Sequence, residues 1–358
     1  MLSVRYPAQR CGLRREDIET IKAGVEDILA SGHMSYGAWV AEAERKWAGV
    51  VGTRHAVMTG AGTQALEMAV RGLHLRGKRV VVPVNTYAAS AQAVLHAGAF
   101  VHFADVDPEY GMLDPDKLPK APDAVDAVMV VHIGGNVSPL LGEVLEYCKQ
   151  RNIPLIEDAA HAHGASSPWG SAGHIGQVGC FSFYPTKNLT CGGEGGALVT
   201  DDPEVAEFAR MFRHQGRKNP GPGEDPQSYK HVMAVANNYC PDELRALILC
   251  TQIDRLREYL ANRRAAAKVY AKHFPLVESP ESSYYKIITH EAVASTPQVT
   301  LPGGVYRTPL HREPAFGYVG MSFPGAEKFC ASHRALPVYN DIKPEEVEEI
   351  CKLLKEGK

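Results

Sequence analysis

The sequence has no run of about 18 apolar residues, the length a bilayer-spanning helix requires, and no apolar stretch behind the basic residues of MLSVRYPAQRCGLRRED. Membrane spanning and secretion are both disfavoured, and a cytoplasmic protein is expected. The eight cysteines (Cys11, Cys148, Cys180, Cys191, Cys240, Cys250, Cys330 and Cys351) form no C-x-x-C pair and no short Cys/His spacing. That removes the usual zinc patterns and leaves reduced thiols as the simplest state. An excess of one charge is also missing: 38 Lys and Arg against 41 Asp and Glu give a net charge of −3, too weak a field to gather nucleic acid or an anionic membrane. No internal repeat or low-complexity tract stands out.

What is present is the material of a large core: 358 residues, 45% hydrophobic and 22% charged, enough for one major and one minor domain. From Arg54 to about Thr200, short apolar runs alternate with amphipathic stretches, the pattern of a mostly parallel sheet with helices on both faces. HAVMT, KRVVVPV, FVHFADV, AVMVVHI, PLIEDA, GCFSFY and GALVT are predicted strands; TQALEMAVRGLHL, AASAQAVLHAG and PLLGEVLEYCKQRN are predicted helices. A Pro-Asp start then opens PDELRALILCTQIDRLREYLANRRAAAKVYAKHF, one long helix or two in line, with Leu244, Leu247, Ile248, Ile253, Leu256 and Tyr270 on recurring faces. Strand-like SYYKIITH and GVYRTPL follow, then a last helix, KPEEVEEICKLLKEG, acidic early and basic late as the helix dipole favours. The expected fold class is α/β: a large domain over residues 1–243 with a mixed, mostly parallel sheet flanked by helices, and a smaller C-terminal α+β domain over residues 244–358. RKNPGPGEDPQ reads as a mobile surface loop.

Three clusters can carry chemistry. GAGTQA, from Gly60 to Ala65, follows a strand and opens a helix, so its N–H groups can meet a phosphate. It matches G-x-G-x-x-A, but a dinucleotide fold also wants an acidic residue about 20 residues on, and VVVPVNTY supplies none. A tight turn without ligand is the other reading. In PLIEDAAHAHG a strand ends in Glu157-Asp158, at the carboxyl edge where parallel sheets bind ligands, so Asp158 is a base, a metal ligand or the partner of a protonated heterocycle. His161 and His163 add a weak Asp-x-x-His-x-His pattern, for which structural histidines are the commoner outcome, and no metal is expected. In CFSFYPTKNLTCGGEGG an aromatic strand end is followed by Ser182, Lys187 and a glycine turn. Most lysines are solvated, but one flanked by an apolar strand and a glycine turn can lose solvation and attack a carbonyl at neutral pH. Together the clusters offer phosphate donors at Gly62, Thr63 and Ser182, a carboxylate at Asp158 and an imine-forming amine at Lys187, all of which pyridoxal phosphate needs.

AGTQAL, VPVNTYAASAQAVLHAGAFVHFADVDPE, PLIEDAAHAHGA, CFSFYPTKNLTCGGEGGALVTDD and NNYCPDELRA resemble the DegT/DnrJ/EryC1/StrS aminotransferases, from about Ser35 to the C-terminus. The resemblance implies the fold of type I pyridoxal-phosphate enzymes. It also implies that Lys187 is the Schiff-base lysine, that Asp158 pairs with the pyridine nitrogen and that His161 lies beside the ring hydroxyl. Tyr87 would stack over the ring, and Gly62, Thr63 and Ser182 would contact the phosphate. Asn238 would reach the phosphate of the neighbouring subunit in a homodimer with shared active sites.

Two departures fall where the family handles substrate. Asn238-Tyr239 is followed by Cys240 where the family usually has Arg, and Phe212-Arg213-His214-Gln215-Gly216 reorders the usual Arg-Asn-His-Gly. Arg307, in GVYRTPLHREP, is a candidate replacement cation or a solvated surface Arg. The expected activity is transfer of an amino group from glutamate or glutamine to a keto sugar, nucleotide-linked, in amino-sugar biosynthesis. Retention of Lys187 speaks against the dehydratase branch, in which His replaces it. The alternatives are a cyclitol ketone or small non-sugar substrate, and a regulatory family member without turnover.

Overall fold

Each of the seven apolar runs forms a strand of one sheet. The strands are β1 (His55–Thr59), β2 (Arg79–Pro83), β3 (Phe100–Ala104), β4 (Ala127–Val131) and β5 (Leu155–Asp158), then β8 (Val178–Ser182) and β9 (Gly196–Thr200) after a two-residue hairpin of β6 (Ser166–Ser167) and β7 (Gly170–Ser171). The computed structural model describes residues 4–8, 10, 12–121, 123–218, 231–277, 279–317 and 320–356; most of RKNPGPGEDPQ, from 219 on, lies outside the described residues. The strand order is β1-β9-β8-β5-β4-β2-β3. Every pairing is parallel except the two made by β9, which is antiparallel to both β1 and β8. Two reversals restore the direction, so β1 ends at the same edge as β8, β5, β4, β2 and β3.

Helices cover both faces, which is why β4, AVMVV, is buried at every position rather than alternating. On one face α3 (Gly62–Gly72), α4 (Ala88–His96) and α6 (Pro203–Arg213) pack Leu66, Met68, Val94 and Phe212 against the sheet. On the other, α2 (Ala38–Val51), α5 (Leu141–Arg151) and the first half of α7 (Glu243–Tyr270) surround Trp47, Leu141, Leu249 and Leu256. The far end of α7 joins a third cluster, where Ala266 and Tyr270 meet Ile287, Leu336 and Ile350. That cluster belongs to a small antiparallel sheet of β10 (Leu276–Val277), β11 (Ile287–Thr289) and β12 (Arg334–Leu336), backed by α9 (Pro344–Glu356), with α8 (Pro324–Ser332) leading into β12. Tyr6 pairs with Val299 and is buried in the same cluster.

Two features depart from the sequence pattern. The apolar pattern does not announce α1 (Arg15–Ser31), because only Asp17, Gly24 and Ile28 of it are buried. Its contact face is a glycine: a Cβ at Gly24 would lie 2.7 Å from Leu247 Cδ2. GVYRTPL, expected to be strand-like, forms no strand. It is held by side chains instead, with Asn85 accepting from Tyr306 N at 3.0 Å and donating to Val305 O at 3.3 Å, while Val305 N donates to His333 Nε2 at 2.8 Å.

The alternation of β5 sends its last two carboxylates to opposite faces. Glu157 points away from the site described below and is fully buried. Its carboxylate accepts from Gly173 N, Ile175 N and Gly176 N, each at 2.7 Å, and from His132 Nε2 at 2.8 Å. Both oxygens are needed as acceptors, so an amide at this position must turn a donor toward donors. Glu157→Gln is expected to destabilise the fold by about 3–5 kcal/mol, read as a lower denaturation midpoint at unchanged slope; a loss below about 1 kcal/mol would show that the loop 173–176 does not depend on this carboxylate.

Candidate functional site

Where parallel strands end together, their following loops and helix N-termini wall a crevice. Here that crevice is a cavity of about 470 Å³. Its wall includes Gly62 and Thr63 at the start of α3, Tyr87 just before α4, Asp158 at the end of β5, His161, Ser182 at the end of β8, and Lys187 in the loop beyond. Seven of the eight residues singled out in the sequence thus share one cavity. Thr86, Tyr184, Glu194, Tyr285 and Tyr306 also line it, and none of them was singled out in the sequence. Tyr285 and Tyr306 come from the C-terminal region. Tyr285 reaches the site because Ser283 N and Lys286 N donate to Gly135 O and Gly134 O, both at 3.0 Å. The two glycines have φ of 67° and 90°, and a Cβ on Gly135 would lie 2.9 Å from Tyr285 N, so the close passage depends on them.

Asp158 is buried and held from two sides. Ser90 Oγ donates to Oδ2 at 2.7 Å, Ala160 N donates to Oδ1 at 3.2 Å, and Thr86 Oγ1 lies 2.7 Å from Ser90 Oγ. Burial pushes the carboxyl above its usual range, and the Ser90 hydrogen bond opposes this. A carboxylate so placed is stabilised by a cationic donor arriving in the cavity.

Lys187 faces the opposite demand. Burial lowers its amine to about 8, Asp158 acts to raise it, and Lys286 lowers it further. Its Nζ lies 4.8 Å from the centroid of the Tyr285 ring. His161 stacks on the same ring, at 4.1 Å with 22° between planes. His161 is held neutral by burial and by the two nearby lysines; its Nε2 lies 3.3 Å from Tyr306 Oη, while Nδ1 is buried with no hydrogen-bond partner among the described residues. His163, two residues on, turns away: its Nε2 donates to Ser182 O at 2.9 Å and its ring packs among Trp47, Phe181 and Phe183. No cluster of three metal-ligating side chains occurs among the described residues.

The start of α3 closes the wall. A Cβ on Gly62 would lie 2.8 Å from Ser182 Cβ, and one on Gly196 would lie 2.5 Å from Ala61 C, so helix and sheet touch backbone to backbone. No side chain caps this helix, whereas Asp202 and Asp242 cap α6 and α7. Gln64 N donates to Ala61 O at 3.1 Å, so the first-turn N–H groups left for an anion in the cavity are those of Gly62 and Thr63.

Asn238 is not in this cavity. It is exposed, bridged to His214, in a segment tied to the start of α3 by Gly60 N donating to Tyr239 O at 3.0 Å. Cys240 Sγ donates to Arg213 O at 3.1 Å, and Arg213 is buried against Glu44, Met58 O and Tyr36. Neither lines the cavity, and Arg307 is exposed outside it.

A family model described as the DegT/DnrJ/EryC1/StrS aminotransferase family matches residues 15–355. A UDP-N-acetyl-3-dehydro-alpha-D-glucosamine 3-aminotransferase from Acidithiobacillus ferrooxidans is 29% identical over 361 residues, covering 94% of this chain and 93% of its own. A pleiotropic regulatory protein from Geobacillus stearothermophilus is 27% identical over 354 residues, covering 93% and 92%. Among solved structures, S. venezuelae DesV in complex with a ketimine intermediate superposes with a TM-score of 0.86 at 28% identity, over 99% of both chains.

The lowered amine has a measurable consequence. In the protein without cofactor, the rate at which Lys187 is acetylated by acetic anhydride should rise with pH through a midpoint near 8, against about 10.4 for an ordinary lysine. Peptide mass spectrometry across pH 6–11 reads it; a midpoint above 10 would mean that the cavity leaves the amine solvated.

Proposed function

Because the chain belongs to the DegT/DnrJ/EryC1/StrS aminotransferase family, we propose that it transfers an amino group from glutamate or glutamine to the ketone of a nucleotide-linked sugar in amino-sugar biosynthesis, in the cytoplasm, with pyridoxal phosphate as cofactor. The observation that carries this reading is the convergence of Lys187, Asp158 and the uncapped start of α3 on one cavity. The acceptor class follows the relative that acts on a 3-keto UDP-sugar. No helix among the described residues is long and apolar enough to cross a membrane.

The residues fit the cofactor. Gly62, Thr63 and Ser182 would receive its phosphate, Tyr87 would stack on its ring, and the unpartnered Nδ1 of His161 would face its hydroxyl. Asp158, under-satisfied by one hydroxyl and one N–H, would gain its missing donor from the protonated ring nitrogen. Lys187 would hold the aldehyde carbon through Nζ. When bound, pyridoxal phosphate supplies an electron sink that lets the carbon bearing the amino group give up its proton. Lys187 Nζ moves that proton, as base and then as acid, which its amine near pH 8 suits. Thr86 and Ser90 fix the orientation of Asp158, and Tyr306 and Tyr285 fix His161. Tyr184 and Tyr87, both exposed at the mouth, offer faces on which a sugar ring can pack.

A homodimer is part of the proposal. Asn238 lies outside its own chain's cavity, in a segment that leaves Val232, Met233 and Val235 exposed. In the dimer it serves the phosphate site of the neighbouring subunit. A second reading, a cyclitol ketone or small non-sugar acceptor, is favoured by Cys240. A thiol cannot supply the charge-assisted hydrogen bond of an Arg to phosphate, worth about 1.5–3 kcal/mol, or roughly ten- to a hundredfold in affinity.

Amination of UDP-linked and dTDP-linked 3-keto and 4-keto sugars, free keto sugars and inososes, with glutamate or glutamine as donor, separates these readings. Turnover of a nucleotide-linked sugar, lost in Lys187→Ala, is the expected result. Turnover of inososes alone establishes the second reading, and no turnover of any ketone by folded, cofactor-loaded protein would contradict both and leave a regulatory role. For the dimer, Lys187→Ala mixed with an Asn238→Asp variant that has lost cofactor affinity should regain up to about a quarter of wild-type activity through hybrid sites; a fully active monomer in sedimentation would rule out sharing.

A further inference from the structure

Beside the cavity lies a second buried amine that the proposed chemistry does not use. Lys286 is 9% exposed, immediately before β11, and its Nζ lies 5.0 Å from the centroid of the same Tyr285 ring that Lys187 Nζ approaches at 4.8 Å. The two nitrogens are therefore within about 10 Å of one another. Among the described residues the Lys286 ammonium has no carboxylate or hydrogen-bonding partner; it lies over an aromatic face. A lysine left without a counter-ion in a packed interior is costly, and a role as a salt-bridge anchor is closed to it.

We propose that Lys286 is a positioning residue for Lys187: its positive charge, set beside the same Tyr285 ring, raises the share of the Lys187 amine that is unprotonated and able to attack a carbonyl at neutral pH. A neighbouring cation is one of the established ways to activate a nucleophilic lysine. Around Lys187 the ionisable groups are Asp158, His161, His163, Tyr184, Glu194, Tyr285, Tyr306 and Lys286. Asp158 opposes the effect, and His161 and His163 are kept neutral by burial. Lys286 itself is lowered to about 8 by burial and by Arg263, so it carries its charge at pH 7 and the effect fades above pH 8. Arg263 is anchored elsewhere, to Asn340 Oδ1 and Tyr284 O, each at 2.8 Å.

The inference rests on the role proposed for Lys187, and its test needs no cofactor. The pH dependence of Lys187 acetylation is measured in cofactor-free wild type, Lys286→Met, Lys286→Gln and Lys286→Arg, with circular dichroism and thermal melting as checks of folding. Two unit charges about 10 Å apart at an effective dielectric of about 20 shift each other by about one pKa unit. Lys286→Met and Lys286→Gln should therefore move the Lys187 midpoint up by about one unit and slow labelling at pH 7 about tenfold, and Lys286→Arg should leave it within threefold of wild type. An unchanged midpoint in whichever neutral variant folds, or an Arg variant that behaves as the neutral ones do, overturns the inference. Failure of the underlying role of Lys187 is distinguished because it appears in wild type, as absent visible absorption after addition of pyridoxal phosphate.

Discussion

The site depends on one close approach, that of the start of α3 onto the ends of β8 and β9. Ala61 and Gly62 lie against Ser182 and Gly196 at distances that leave no room for a Cβ on either glycine. The approach is possible because β9, the reversed strand, sits between β1 and β8 and returns both to the same direction. The chain leaving β1 then enters α3 at the carboxyl edge of the sheet, beside Asp158 and beneath the loop carrying Lys187. Had β9 been parallel, with β1 inverted, the uncapped helix end would open on the far edge, away from both ionisable groups.

Around that contact the protein gathers polar groups whose burial is only partly compensated. Asp158 has two donors and a raised pKa, Lys187 a lowered one, and His161 a buried nitrogen without partner. Each costs stability in the free chain, and in the proposed complex each would meet a group of pyridoxal phosphate. Glu157, one residue before Asp158, shows the contrast. Its oxygens meet four internal donors, so it has nothing left to offer a ligand. Adjacent carboxylates of one strand thus serve the scaffold and the cavity separately.

The sheet was legible because buried strands are short, apolar and rich in β-branched or aromatic residues, and all seven runs satisfy that rule. Gly62, Thr63, Asp158, Ser182 and Lys187 were legible because each sits where a strand gives way to a loop or helix, and only the resemblance added Tyr87 and a cofactor role for His161. What pattern alone does not carry is the long-range threading. Ser90 reads as a residue of an amphipathic helix until α4 is docked on β5, where it becomes the donor to Asp158. Tyr285 and Tyr306 belong to runs that look like strands, yet GVYRTPL is pinned by Asn85 and His333 from distant elements, and no local period encodes that. Arg213 illustrates the reverse: in a segment marked for substrate contact, its guanidinium is consumed by Glu44 and Tyr36 in the interior.

The central claim is that Lys187 is the amine on which the cofactor is carried. Purified protein incubated with pyridoxal phosphate and reduced with borohydride reads it directly by visible absorption and peptide mass mapping. The account predicts a yellow protein that bleaches on reduction and a pyridoxyl group on the peptide containing Lys187. A colourless protein, or reduction that leaves Lys187 unmodified, would contradict it.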